Sequence, residues 1–196
     1  MFDLQSLLQT IGYLGIAAIV FAESGLFFGF FLPGDSLLFT AGLLAAKGYF
    51  NLPILVGLCF LAAVLGDNVG YTFGRRVGPK IFSREDSRFF HRHHLERARG
   101  FYAKYGKKTI VLARFVPIVR TFAPIVAGVG QMPYQTFVLY NLIGGALWAI
   151  GLPVAGFYLH GLVPDIDRYL LLIIAAIVIL SVIPPLWHVY QERKRI

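Results

Sequence analysis

Long apolar stretches separated by short polar or basic segments dominate this chain. Nearly uncharged runs over 52–74, 136–159 and 169–191 each reach the roughly 20 residues that a helix needs to cross a bilayer core. Residues 4–32 can hold one more span, with Glu23 inside it. The pattern predicts an all-α integral membrane protein that forms a single domain with about four transmembrane helices.

Two further apolar segments are too short to cross a bilayer. Residues 36–46 follow Pro33, and residues 110–133 are broken at Pro117 and Pro124. Short, proline-broken apolar segments in matching positions of two halves are typical of re-entrant hairpins beside a midplane binding site. Non-helical backbone at that depth is tolerated only where it is buried in protein or lines a wet cavity. We therefore expect two re-entrant helical hairpins and a cavity between them.

The two halves of the chain can be laid over each other. Gly42 to Gly70 and Gly128 to Gly156 both span 28 residues, and an aromatic residue follows each pair. This weak symmetry predicts an inverted repeat whose two hairpins enter from opposite faces of the membrane. The predicted parts are repeat one over about 20–78, a cytoplasmic amphipathic helix over about 82–106, repeat two over about 109–161 and a C-terminal span over about 169–191.

The net charge of +8 indicates how the chain is oriented in the membrane and does not alter the expected class of protein. Of the 18 Lys and Arg residues, 11 lie between Arg75 and Lys108, and three more lie at 193–195. Basic segments beside apolar spans mark the cytoplasmic side. The distribution therefore favours a multi-pass cell membrane protein with both termini cytoplasmic, and it argues against nucleic acid as a partner.

Four charged residues lie in segments that otherwise look membrane-embedded: Glu23, Asp35, Arg114 and Arg120. Such charges cost several kcal/mol in hydrocarbon unless they are paired or hydrated. Arginine stays charged when buried and binds phosphate oxygens in a bidentate manner, so the two arginines are candidates for binding an anionic head group. Burial and a nearby arginine act on a carboxylate in opposite directions, so the two acids are candidates for proton coupling.

Two alternatives to this assignment stay open. The acids and arginines can simply pair and lock the hairpins together, because buried ion pairs serve specificity without adding net stability. Asp67 is either an interfacial residue near the cytoplasmic end of its helix or a third proton-coupling group.

Three stretches carry a resemblance to a known family: ESGLFFGFFLPGDSLLFTAGLLA, GDNVGYTFGRRVG and ARFVPIVRTFAPIVAGVGQM. Over about Glu23 to Gly161 the chain resembles the DedA family of bacterial membrane proteins, the wider VTT or SNARE-associated group. The resemblance implies proton-motive-force-linked transport or lipid translocation, with recycling of the polyprenyl (undecaprenyl) phosphate carrier or phospholipid scrambling as the associated roles. It places the family's acidic pair at Glu23 and Asp35 and its arginine pair at Arg114 and Arg120.

We therefore expect a translocase of an anionic lipid phosphate driven by protons, and not an enzyme. One alternative is a proton-coupled exporter of small cations, in which Glu23 and Asp35 contact the cation. A second is a membrane lipid phosphatase, which the sequence disfavours because no histidine falls within the hairpins. No cofactor is expected.

Two smaller features complete the sequence picture. Glycines recur every four residues at Gly66, Gly70, Gly74 and Gly78, and such a stripe lets a neighbouring helix approach closely. That neighbour can belong to the same chain or to a second copy, so a homodimer stays open. The histidines His91, His93 and His94 invite a metal site, but adjacent side chains on a helix face different directions, so we expect no metal there.

Overall fold

The computed structural model describes residues 4–26, 34–82 and 108–162. Within these ranges every regular element is a helix and no strand occurs. In chain order the helices are α1 (Leu4–Gly25), α2 (Gly34–Ala46), α3 (Leu52–Phe82), α4 (Thr109–Ala113), α5 (Pro117–Val129), α6 (Tyr134–Ala149) and α7 (Gly151–Leu162). The expectation of an all-α protein is therefore confirmed for the described ranges.

Two helical segments are long and apolar enough to cross a membrane. The first is Leu52–Gly78 within α3, and the second is Tyr134–Leu162, which combines α6 and α7. The second is interrupted only at Ile150. The cause is Pro153, which has no N–H to offer the carbonyl of Ala149 and whose ring crowds that carbonyl.

The other apolar helices are shorter than a bilayer crossing. Helices α2 and α5 have 13 residues each, and α1 is interrupted at Gly12, where φ is +64°. The chain breaks before Pro117, because Val116 adopts the extended conformation that a following proline favours.

The second predicted break is wrong. Pro124 lies inside α5 and the helix continues through it. A proline removes one backbone hydrogen bond, and helices in membrane proteins tolerate that loss because their neighbours support the freed groups. Helix α5 has such support, since it lies along α3.

One shorter helix of each half packs against the long helical segment of the other half. Helix α2 lies along α7, and α5 lies along the second half of α3. Both contacts are close enough to require glycine. A Cβ atom on Gly42 would collide with the backbone of Pro153, and one on Gly128 would collide with the backbone of Tyr71.

The glycine stripe of α3 packs within the chain. Gly66 faces the backbone of α1 at Phe21, and Gly74 and Gly78 face α5 at Ile125 and Val129. Close approach through small residues is the usual way in which helices associate in membranes. The stripe is therefore occupied by two neighbouring helices of the same molecule.

Several predicted features lie outside the described residues. They are the turn at Pro33, most of the predicted cytoplasmic helix over 82–106, the histidines at 91, 93 and 94, and the predicted span over 169–191.

Candidate functional site

Arg120 is at the centre of the first of two buried charge clusters. It lies one turn inside α5, and its side chain is almost fully buried. Its Nη1 donates to Oδ1 of Asp35 at 2.5 Å, and its Nη2 forms an ion pair with Oε1 of Glu23. The cluster therefore joins α1, α2 and α5 through one guanidinium group. We call Glu23, Asp35, Arg120 and the adjoining Trp148 the Arg120 cluster.

The start of α2 supports both carboxylates of this cluster. The backbone N–H of Gly34 donates to Oε1 of Glu23 at 3.2 Å, and Asp35 lies in the first turn of the helix. Unpaired N–H groups and the helix dipole favour negative charge at a helix N-terminus. A Cβ atom at position 34 would overlap the carboxylate of Glu23, so any other residue there would have to push that carboxylate aside.

Trp148 completes the Arg120 cluster and was not identified from the sequence. Its indole Nε1 donates to Oδ1 of Asp35 at 2.7 Å, and the Cζ atom of Arg120 lies 4.4 Å from the centre of its ring. The second contact has cation–π geometry. Tryptophan usually lies at the membrane interface, so its position well inside a long apolar stretch was the signal that could have found it.

Arg114 is at the centre of a second cluster. It caps the C-terminal end of α4, forms an ion pair with Asp67 of α3 and donates to Oδ1 of Asn141 of α6 at 2.5 Å. Asn141 in turn donates to the carbonyl of Val64 at 3.2 Å. A Cβ atom on Gly144 would lie only 2.8 Å from Cδ of Arg114, so the glycine leaves room for the arginine side chain. We call Arg114, Asp67 and Asn141 the Arg114 cluster.

The structure separates two residues that the sequence placed in one site. Arg120 meets Glu23 and Asp35, whereas Arg114 pairs with Asp67 and with neither of those acids. The reason is the chain break before Pro117, which puts the two arginines on different helices with different neighbours. Asp67 is 4% exposed and lies near the middle of α3, away from both ends of that helix.

Asn141 is a second polar group that sequence reasoning missed. It is fully buried and carries no charge. A lone amide in an apolar span was its only signal, and such a residue often forms a hydrogen bond between helices.

Both arginines retain a hydrogen-bond donor without an acceptor. Within the described part of the chain, the Nε atoms of Arg114 and Arg120 are buried and have no partner, and the same holds for Oε2 of Glu23. A buried polar group left unsatisfied costs about 1–3 kcal/mol. The two clusters therefore hold donors that a bound anion could satisfy.

A groove of about 590 Å³ runs along the outer face of α3. It is lined by residues that include Phe21, Asn68, Thr72, Phe73 and Arg76, and neither buried arginine lines it. Among the described residues no group of three or more His, Cys, Asp or Glu side chains has the arrangement to hold a metal ion.

Long apolar helices with buried, ion-paired charges between them are the mark of a multi-helix membrane protein, and the comparisons with known proteins agree. The VTT domain family matches residues 32–158. An uncharacterized membrane protein of Mycobacterium tuberculosis is 48% identical over 185 residues, which cover 92% of this chain and 81% of the relative. Protein DedA of Escherichia coli is 46% identical over 178 residues, 90% of this chain and 81% of the relative.

A further relative is the inner membrane protein YqjA of Escherichia coli, which is 34% identical over 157 residues, 80% of this chain and 71% of the relative. No solved structure matches the chain. The chain belongs to the DedA family of membrane proteins, as its motifs predicted.

Proposed function

We propose that this protein translocates an anionic lipid phosphate across the membrane, driven by the proton motive force. A polyprenyl phosphate carrier or a phospholipid is the substrate class. The observation that carries the proposal is the pair of buried arginines, each with an unpartnered Nε donor. Guanidinium groups suit phosphate because they offer several donors in a fixed plane and stay charged when buried.

The proposed architecture is an inverted repeat of two re-entrant hairpins. Helices α1 and α2 form the first hairpin, and α4 and α5 form the second. The reciprocal packing supports this arrangement, since α2 lies along the long helix of the second half and α5 along that of the first. Gly42 and Gly128, which occupy matching positions in the two halves, make the corresponding backbone contacts.

The proposed orientation follows from the basic segments. The segment from Arg75 to Lys108 and the basic C-terminus lie on the cytoplasmic side of a bacterial inner membrane. Both termini are then cytoplasmic, and the two hairpins enter from opposite faces. Rocking of the two halves about the charged clusters would give alternating access, as in other transporters built from inverted repeats.

The proposed coupling is a competition for Arg120. In the described conformation its two Nη groups are occupied by Asp35 and Glu23. A proton on one of these carboxylates removes a negative charge and loosens its hold on the guanidinium. The phosphate then takes the released donors, so the proton and the lipid phosphate bind together. Asp67 serves in this scheme as the counter-ion that keeps Arg114 in place.

The test is a lipid-phosphate flipping assay in proteoliposomes. We expect Arg114→Ala, Arg120→Ala and Glu23→Gln to abolish flipping. Arg76→Ala is the matched control, because Arg76 is an exposed arginine of α3 outside both clusters and its loss should leave flipping unchanged. Arg120→Lys keeps the positive charge but lacks the planar guanidinium and its Nε donor, and the folded variant should flip at a reduced rate. Wild-type flipping in folded Arg114→Ala and Arg120→Ala variants would overturn the assignment.

One observation favours a second candidate, a proton-coupled exporter of small cations. Arg120 neutralises only one of the two carboxylates that contact it, so the cluster has an excess negative charge that a cation could balance. Inhibition of transport by soluble cations, and not by short-chain lipid phosphates, would favour this candidate. Both candidates are transporters, and release of inorganic phosphate from a lipid phosphate by the pure protein would contradict both.

A further inference from the structure

The two clusters differ in formal charge. In the Arg114 cluster one arginine meets one carboxylate, whereas in the Arg120 cluster one arginine meets two. An uncompensated charge in a dry site costs several kcal/mol. One proton bound to the Arg120 cluster would remove its excess negative charge. The surroundings of the two carboxylates, Glu23 and Asp35, determine which of them binds this proton.

Asp35 accepts hydrogen bonds from two side-chain donors. Its Oδ1 accepts from Arg120 at 2.5 Å and from the indole of Trp148 at 2.7 Å. The indole nitrogen can only donate, so this contact favours the charged form of the acid. The side chain of Asp35 is also 19% exposed, and that exposure lowers the cost of keeping its charge.

Glu23 is arranged differently. Its side chain is fully buried, and its Oε1 accepts from Arg120 and from the N–H of Gly34. Its Oε2 has no hydrogen-bond partner and packs against the Cα atom of Gly34, where even a Cβ atom would not fit. A charged carboxylate oxygen that is buried without a hydrogen-bond donor is costly in free energy. A proton bound at this oxygen removes that cost.

The other charged groups around Glu23 are balanced. Helix α2 contributes Asp35, α5 contributes Arg120, and α3 and α4 contribute Asp67 and Arg114, which pair with each other. Helix α6 contributes Trp148 and Asn141, which do not titrate. One proton on Glu23 therefore makes the whole set of five charged groups neutral.

We propose that Trp148 is a positioning residue that holds Asp35 ionised beside Arg120, and that Glu23 is the group of this cluster that takes up and releases the proton. The role of this proton in transport rests on the proposed function, but the placement of the proton does not. It follows from the unequal hydrogen bonding of two carboxylates that share one arginine.

Infrared difference spectroscopy of the full-length protein in lipid vesicles tests the proposal without any mutation. A protonated carboxylic acid gives its own C=O stretching band, and ¹³C in the carboxyl group moves that band to lower frequency. At neutral pH we expect one such band that moves when the protein is labelled at glutamate carboxyl groups and stays when it is labelled at aspartate. Glu23→Gln should remove the band. A band that moves with the aspartate label, or no band, would overturn the proposal.

Trp148→Phe tests the positioning role. The variant keeps an aromatic ring beside Arg120 and removes the N–H that donates to Asp35, together with part of the ring system. We expect part of the band to become sensitive to the aspartate label, because Asp35 then competes for the proton. The control is Tyr158→Phe, which removes a donor from an exposed aromatic side chain outside both clusters and should leave the band unchanged. An unchanged band in Trp148→Phe would refute the role of Trp148.

The spectroscopic result and the flipping assay can fail separately. A glutamate-sensitive band in a protein that flips no lipid phosphate would leave the placement of the proton standing and remove the proposed function. Normal flipping with an aspartate-sensitive band would support the proposed function and overturn the placement of the proton on Glu23.

Discussion

Arg114 and Arg120 are six residues apart, similarly buried, and each keeps an unpartnered Nε, yet their surroundings differ. Arg114 has one carboxylate and one amide as acceptors, both on long helices. Arg120 has two carboxylates on shorter helices, with a tryptophan ring against it. A balanced pair fixes a side chain in place, whereas an unbalanced set can respond to a proton or a ligand.

The position of each cluster in the fold agrees with this difference. The Arg114 cluster joins α3 to α6, the two segments long enough to cross the membrane. The ion pairs of the Arg120 cluster join α1, α2 and α5, whose apolar parts are too short to cross. The charges that can respond to a proton therefore lie between helices that are too short to cross the membrane.

The largest effect is expected for Arg120→Ala, because it removes the shared partner of Glu23 and Asp35 and the cation that packs against the ring of Trp148. Removing one partner of a buried ion pair costs about 3–5 kcal/mol, and we expect the upper end of that range here. Thermal and denaturant unfolding in detergent would measure the loss. Adding Glu23→Gln and Asp35→Asn should restore most of the stability without restoring flipping. A loss below about 1 kcal/mol would indicate a hydrated pair rather than a buried one.

Arg114→Ala is expected to have the next largest effect, near the lower end of about 3–5 kcal/mol, because it leaves only one carboxylate unpaired. The double variant Arg114→Ala with Asp67→Asn should recover most of that stability. The single variant Asp67→Asn should still flip lipid phosphate, since Asn141 continues to hold the arginine. Equal losses of unfolding free energy for Arg114→Ala and Arg120→Ala would remove the distinction between the two clusters.

Parts of this arrangement could be predicted from the sequence and others could not. Length and apolar content located both long helices, and the rule for residues preceding proline located the break at Pro117. The cost of charge in hydrocarbon identified Glu23, Asp35, Arg114 and Arg120 as special, because that cost depends on residue type alone.

The pairing of those charges could not be predicted. Which acid meets which arginine depends on how helices far apart in the chain pack, and the spacing of residues does not contain that information. Arg114 pairs with Asp67 because α4 lies beside α6 and near α3. Trp148 and Asn141 were not predicted for another reason. Neither carries a charge, so neither interrupts the apolar pattern as clearly as an acid or an arginine does.

Glycine substitutions compare the two halves of the molecule, and we expect them to cause the third largest loss of unfolding free energy. Gly42→Ala places a Cβ atom against the backbone of Pro153, and Gly128→Ala places one against the backbone of Tyr71. Backbone atoms cannot move aside as the end of a side chain could. Overpacking of this kind costs about 1–3 kcal/mol. Similar losses in both variants would support the inverted repeat. The control is Gly57→Ala, where no atom lies within 4 Å of the added Cβ. A loss in only one variant would argue that the halves pack differently.

The smallest change in stability, and the sharpest test of the comparison, is expected for Asn141→Asp. The substitution keeps the shape of the side chain and gives Arg114 two carboxylates, as Arg120 already has. The introduced acid, once protonated, can donate to the carbonyl of Val64 in place of the lost amide, so unfolding should shift by only about 1 kcal/mol. The infrared spectrum should then gain one protonated-acid band that moves with the aspartate label. The control Asn141→Leu adds no acid and should gain no band. If Asn141→Asp also gains none, an excess of buried carboxylate is not what places the proton on the Arg120 cluster.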